Sequence, residues 1–326
     1  MSRKIILLTL MLALALSGCT SSPSTKEAGA LTKVSLPMGY VPNIQFAPLY
    51  VADKKGYFQK AGIELEFDYK TETDGVALVG SGKLPFSLVS GEQVLLARAQ
   101  GLPVQYVAAW YQQYPVSVVA NSKAGILIPQ DLKGKKIGLP GLFGANYIGL
   151  LAMLYEAHMT EKDVTLDSIG FNQVDLLASG QQDIIVGYTA NEPLQLRARG
   201  IPVTEIKVSD YVQLASNGIL ASEKVIKEDP ELVRAFVGAF LHGLADTIAN
   251  PEEAYQLSAS YIPNFADLDK NVQMQILKTS IEEWKASRLG YSDPQAWENM
   301  QNVLLEMGQI TEKTDLSKAY TNEFIP

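Results

Sequence analysis

The stretch MGYVPNIQFAPLYVADKKGYF, residues 38–58, decides how the chain is read. It follows a short apolar strand at 32–36 and passes through a polar and aromatic loop at 39–46. It then enters a helix that stops at Gly56-Tyr-Phe58. Pro42 fixes the backbone of the loop, while Asn43 and Gln45 each offer a donor and an acceptor. Tyr40 and Phe46 bracket them with ring faces. A strand-to-helix turn of this composition is where open α/β sheets hold small molecules.

Outward from this stretch, strand and helix patterns alternate. Strands are predicted at 63–69, 85–89, 103–109 and 115–120, then at 135–139, 164–170, 183–187 and 202–208. Helices fall between them, at 91–100, 147–156, 172–178 and 192–199. Ser90 with Gln93 three residues on has the form of a capping box. From residue 229 onward the chain is helical, at 231–250, 252–261, 269–287 and 294–307. This spacing argues for open, mainly parallel sheets. The turn-rich segment 121–130 reads as a crossing into a second lobe, and 217–222 as the return. The organisation expected is therefore lobe 1 from 32–120 and 221–326, and lobe 2 from 121–220. No repeat of fixed period is visible.

The N-terminus has a different character. Arg3 and Lys4 precede an apolar run at 5–16, too short for a comfortable membrane span. Leu16-Ser-Gly-Cys19 then matches a lipoprotein cleavage box. The expectation is a signal peptide at 1–18, acylation of Cys19, and a flexible tether at 19–31, rich in Ser, Lys, Gly and Ala. Cys19 is the sole cysteine, so no disulfide and no thiol nucleophile is available. Losing Arg3 and Lys4 with the signal takes the formal charge from −8 to −10, which argues against nucleic acid and against a polybasic grip on lipid. No segment after the signal reads as a membrane span.

Catalytic patterns are weak. His158 and His242 sit in helical, apolar surroundings and read as structural residues, with no serine or carboxylate pair in a recognisable order. No cluster has zinc spacing, and no phosphate-binding loop occurs. No cofactor and no metal are expected.

Binding patterns are stronger, because four groups of residues fall at the C-terminal ends of predicted strands. The first is Tyr40, Asn43, Gln45 and Phe46. The second is Ser90 and Glu92, read either as a plain helix cap or as a helix start that meets a ligand acceptor. The third is Trp110, Tyr111 and Tyr114, read as a ring-stacking wall or as an inter-lobe packing cluster. The fourth is Phe143, Asn146, Tyr188, Asn191 and Glu192. There the glycines Gly141 and Gly144 allow either close ligand approach or simply a tight turn. The inventory favours a flat, mostly neutral, hydrogen-bonding ligand. It contains no arginine to pair a sulfonate, and its glutamates would repel an anion.

The stretch also carries a resemblance. Tyr40-Val-Pro-Asn43, Lys55-Gly-Tyr-Phe58 and Gly62-Ile-Glu-Leu65 resemble the opening of the ABC-importer substrate-binding proteins related to thiamine-pyrimidine-precursor and alkanesulfonate binders. Pyrimidine binders of that family show Asp-Trp at Gly39-Tyr40 and histidine at Phe46. The wording here is most similar to the riboflavin-binding branch. The resemblance implies a two-lobed type II periplasmic-binding-protein fold with a helical C-terminal segment. It also implies a monomeric, non-enzymatic lipoprotein on the extracytoplasmic face of the cell membrane, delivering riboflavin to a permease driven by an ATPase. A thiamine pyrimidine precursor is the alternative ligand. A pyrimidine-modifying enzyme of the same fold is the alternative activity.

Overall fold

The computed structural model describes residues 31–326. The signal peptide, Cys19 and the tether up to residue 30 lie outside the described residues.

Strands β1 (Thr32–Gly39) and β2 (Ile63–Thr71) pair in parallel, with Thr32 opposite Ile63. β3 (Phe86–Val89) and β4 (Val104–Ala109) flank a strand from much later in the chain, β10 (Gly218–Ser222), which is antiparallel to both. β1 lies beside β3, so the first lobe reads β2-β1-β3-β10-β4. The second sheet holds β5 (Val116–Asn121), β6 (Lys136–Leu139), β7 (Thr165–Ser168), β8 (Ile184–Tyr188) and β9 (Val203–Lys207). Its order is β7-β6-β8-β5-β9. In each lobe one strand, β10 or β5, lies between two neighbours to which it is antiparallel.

This pairing moves one expected boundary. β5 bonds to β8 and β9, not to the first sheet. We therefore place the first crossing at 110–115 rather than at 121. Local sequence cannot reveal this, because β5 has the same apolar strand pattern whichever sheet receives it.

The Lys55-Gly-Tyr-Phe58 motif is accounted for by packing. Gly56 adopts a left-handed conformation (φ 70°) just past the helix Ala47–Lys54, where a side chain would be strained. Lys55 Nζ donates to Asp246 Oδ2 and Glu253 Oε2, both at 2.8 Å, and the Tyr57 hydroxyl donates to the same Asp246 oxygen. Phe58 is buried beside Phe236. The motif clamps the first helix to the C-terminal helices and so fixes the loop before it.

The helix Pro230–Ala249 corrects another expectation. Its length and composition are enough for a membrane span, at a mean hydropathy of 1.4. Its face of Val233, Phe236, Val237, Phe240 and Leu244 is nevertheless buried in the first lobe's core. Gly243 lets it approach Ala47–Lys54 closely, since a Cβ there would stand 2.1 Å from the carbonyl oxygen of Pro48. A backbone carbonyl cannot rotate away. Gly243→Ala is therefore expected to destabilise by about 1–3 kcal/mol through overpacking, outweighing alanine's better helix propensity of about 1 kcal/mol. Denaturant unfolding of the variant checks this; an unchanged or raised midpoint would contradict it.

Candidate ligand-binding cleft

The loops that leave the parallel strands converge on one cleft of about 940 Å³, counting open space at its mouth. From the first lobe come Tyr40, Asn43, Gln45 and Phe46 after β1, and Trp110 and Tyr111 after β4. From the second come Phe143 and Asn146 after β6, and Tyr188, Asn191 and Glu192 at the end of β8.

The loop after β1 is held by its own chemistry. The Asn43 carboxamide oxygen accepts from the Gln45 backbone N–H at 2.9 Å, capping a short 3-10 turn at Ile44–Phe46. The Gln45 side chain donates to the Tyr111 hydroxyl and to Ser280 Oγ, both at 3.3 Å. Phe46 stands 5.9 Å from the Trp110 ring, tilted by 35°, and Trp110 contacts Trp284 and Phe240 on the far side. Trp110 is only 3% exposed. Trp110 thus packs in the first lobe's core, and the same residue is among those lining the cleft. The freer ring faces belong to Tyr40 and to Phe171, which follows β7. They meet edge to face at 4.8 Å across the cleft, and Phe171 is 47% exposed.

On the second lobe, Glu192 Oε2 accepts from the Tyr188 backbone N–H at 2.7 Å and Oε1 from Asn191 Nδ2 at 3.0 Å. Gly187 makes room, because a Cβ there would stand 2.6 Å from this carboxyl. Burial pushes the Glu192 carboxyl up to about 7 against those donors. The Tyr188 hydroxyl pairs with the Asn217 side chain at 3.1–3.2 Å. Two polar atoms in the wall lack a protein partner, Trp110 Nε1 and Asn146 Oδ1. Buried groups of this kind cost about 1–3 kcal/mol when left unpaired.

Ser90, Glu92 and Tyr114 do not line the cleft. They lie fully buried behind its wall. Ser90 has the backbone of an N-cap, but its side chain makes no cap bond, which corrects the expected capping box. Its hydroxyl is spent on Glu72 and Glu92 instead. Sequence reasoning missed Met38, Glu72, Phe171, Gln173 and Asn217, all in the lining. His158 and His242 are exposed and away from the cleft. No Lys, Arg or His is among the lining residues. Among the described residues no group of three or more His, Cys, Asp or Glu could hold a metal ion.

Residues 43–254 match the model of the family described as NMT1/THI5 like. The chain belongs to this family. Within it, the chain is 42% identical to the riboflavin-binding protein RibY of Chloroflexus aurantiacus, across 94% of this chain and 90% of that one. It is 29% identical to the formylaminopyrimidine-binding protein of Halalkalibacterium halodurans, over 92% of each. The family also contains enzymes. A 4-amino-5-hydroxymethyl-2-methylpyrimidine phosphate synthase of Legionella pneumophila is 25% identical over 90% of this chain and 93% of its own. Among solved structures, the alkanesulfonate-binding protein SsuA of Xanthomonas axonopodis pv. citri superposes with a TM-score of 0.70 at 14% identity, covering 90% and 98% of the two chains. That likeness shows the two-lobed periplasmic-binding-protein fold.

Proposed function

We propose that this chain is the substrate-binding lipoprotein of an ABC importer and that its ligand is riboflavin. The observation that carries the reading is the chemistry of the cleft. It has aromatic faces at Tyr40 and Phe171, an unpaired donor and acceptor at Trp110 Nε1 and Asn146 Oδ1, and no cation in its lining. A flat neutral heterocycle with polar edges and a hydroxylated chain suits such a site. A sulfonate or a phosphorylated flavin does not, because nothing there neutralises an anion. The 42% likeness to a riboflavin-binding protein across nearly the whole chain supports the same ligand.

The mechanism is capture between lobes. A ligand touching both walls favours the closed state, since only that state makes both sets of contacts. The closed monomer, anchored through acylated Cys19 at the extracytoplasmic face, then docks on its permease and ATPase. Binding without turnover fits the position of the two histidines, both remote from the cleft.

Riboflavin titrated into the chain from Ser21 onward is expected to lose its fluorescence saturably, at one-to-one stoichiometry. Tyr40→Ala is expected to weaken binding about tenfold, or about 1.4 kcal/mol, while the protein stays folded. Unchanged fluorescence together with no heat of binding would remove riboflavin. The 29% likeness to a formylaminopyrimidine-binding protein then makes a pyrimidine the next ligand to titrate.

A further inference from the structure

Glu72 opens the helix Glu72–Gly80, and its side chain lies in the cleft wall. Its Oε2 accepts from the Ser90 hydroxyl at 2.7 Å, and its Oε1 is 3.5 Å from Asn217 Nδ2. Glu92 Oε1 makes a short contact with the same Ser90 hydroxyl from behind. Glu92 Oε2 is 3.4 Å from the Tyr114 hydroxyl, which also stands 3.0 Å from the carbonyl oxygen of Ala145.

Counting hydrogens gives the state of this group. Ser90 has one hydroxyl hydrogen and faces two carboxyl oxygens. Tyr114 has one, and the Ala145 carbonyl at 3.0 Å can only accept it. Two carboxyl oxygens at Ser90 thus face one hydrogen, and a proton on either carboxyl closes the second contact. The titratable groups facing the pair are Tyr114, Tyr188 and, behind Glu92, Tyr106, with no cation among them. Burial raises both carboxyls, and the Glu92 charge raises Glu72 further. Only Glu72 is in contact with the cleft.

A second observation points to a ligand here. Trp110 Nε1, in the same wall, is a buried donor without a partner. A ligand acceptor that reached it would pair that donor, as a ligand N–H or O–H would pair Glu72.

We propose that Glu72 is a specificity-determining residue that accepts a hydrogen bond from an N–H or hydroxyl group of a neutral ligand, with Ser90 and Glu92 behind it sharing one proton. When the ligand's donor arrives at Glu72, the Ser90 hydroxyl turns toward Glu72 and the shared proton rests on Glu92. Glu72 then bears the single negative charge: no proton is gained or lost where the pair already holds one, and one is released where the pair holds two. A phosphate or sulfonate brings only acceptors and meets that charge unpaired. The ligand class is the one already proposed for the cleft, and the choice of riboflavin as the probe rests on that reading.

The test has one arm that needs no ligand. Carbon-13 NMR of glutamate-labelled protein, with signals assigned from Glu72→Gln and Glu92→Gln, follows the two carboxyls through a pH titration. The expected result is one proton retained by the pair beyond pH 6, and the loss of that late step when either partner is changed. Two carboxyls that ionise independently below pH 5 overturn the proposal whatever the ligand. In the second arm, Glu72→Gln is expected to weaken riboflavin at least thirtyfold and to flatten the pH dependence of its affinity. The same change is expected to narrow the preference for riboflavin over riboflavin 5′-phosphate. Unchanged affinity and pH profile in a folded variant overturn the proposal. Wild-type protein that ignores riboflavin ends the riboflavin reading, and the carboxyl titration then decides for or against Glu72.

Discussion

Unfolding of the unliganded protein by urea is expected to become easier as the pH rises from 5 to 8, by several kcal/mol. Most proteins gain stability over the acid part of that range, because paired carboxylates ionise. Here the buried acids have the opposite sign. Burial pushes Glu192 up to about 7. It pushes Glu283 up to about 8, with Glu205 adding to the rise and Lys207 opposing it. The Glu72–Glu92 pair is raised as well. In the unfolded chain such groups ionise near about 4.3. Between that value and their folded values the folded state binds more protons, so stability falls with rising pH. The contribution is complete below about pH 4 and lost through pH 7–8. At about 1.4 kcal/mol for every tenfold difference in proton affinity between the folded and unfolded states, Glu192 alone accounts for roughly 4 kcal/mol. The half-buried carboxylates held low by local donors, such as Asp131 and Asp163, act only at more acid pH. Glu283 isolates the effect, since it is 8% exposed and its Oε2 has no protein partner. Glu283→Gln is expected to stabilise at pH 8, to do little at pH 5, and to flatten the profile. A wild-type profile that is level or rising to pH 8 would sink the argument.

The elements themselves were legible in the sequence wherever the signal is local. Gly56 marks the end of the first helix in the way its chemistry requires. The strand pattern of 116–121 was legible too, but not its partner. β5 and β10 each leave one lobe and pair antiparallel in the other. Which sheet receives a strand is settled by contacts far apart in the chain, and an apolar run contains no record of them.

The cleft was legible where ring or amide side chains stand at a strand's end, as at Tyr40, Phe46 and Tyr188. It was illegible where a residue's role depends on the direction of its side chain. Tyr111 and Tyr114 lie in one five-residue segment, yet the first lines the cleft and the second turns behind it to Glu92 and Ala145. Glu72 belongs to the polar run Thr71-Glu-Thr-Asp74, which reads as a turn, and only the approach of Ser90 and Asn217 shows its place. Ser90 and Gln93 match a capping pattern that never forms: the Ser90 side chain turns to Glu72 and Glu92, and the Gln93 backbone N–H bonds to the Ser90 carbonyl oxygen instead.

Trp110→Ala is expected to cost about 3–5 kcal/mol of stability, more than any single change in the cleft costs in binding. The ring is 3% exposed and sits among Phe46, Tyr111, Phe240 and Trp284 at centroid distances of 5.1–6.1 Å. None of these neighbours can fill the void without leaving its own packing, so the cavity persists. Lost riboflavin binding in this variant would therefore say nothing about contact with the ligand. Trp110→Phe separates the two roles. It keeps a ring in the cluster and is expected to cost only about 1–2 kcal/mol. It removes Nε1, which satisfies no protein group. If a ligand acceptor takes that N–H, the phenylalanine variant remains folded by urea titration and still binds riboflavin at least fivefold more weakly. Equal affinity in Trp110→Phe and wild type would make Trp110 a packing residue alone. A loss of less than about 1 kcal/mol in Trp110→Ala would instead mean that the cluster can close around the gap.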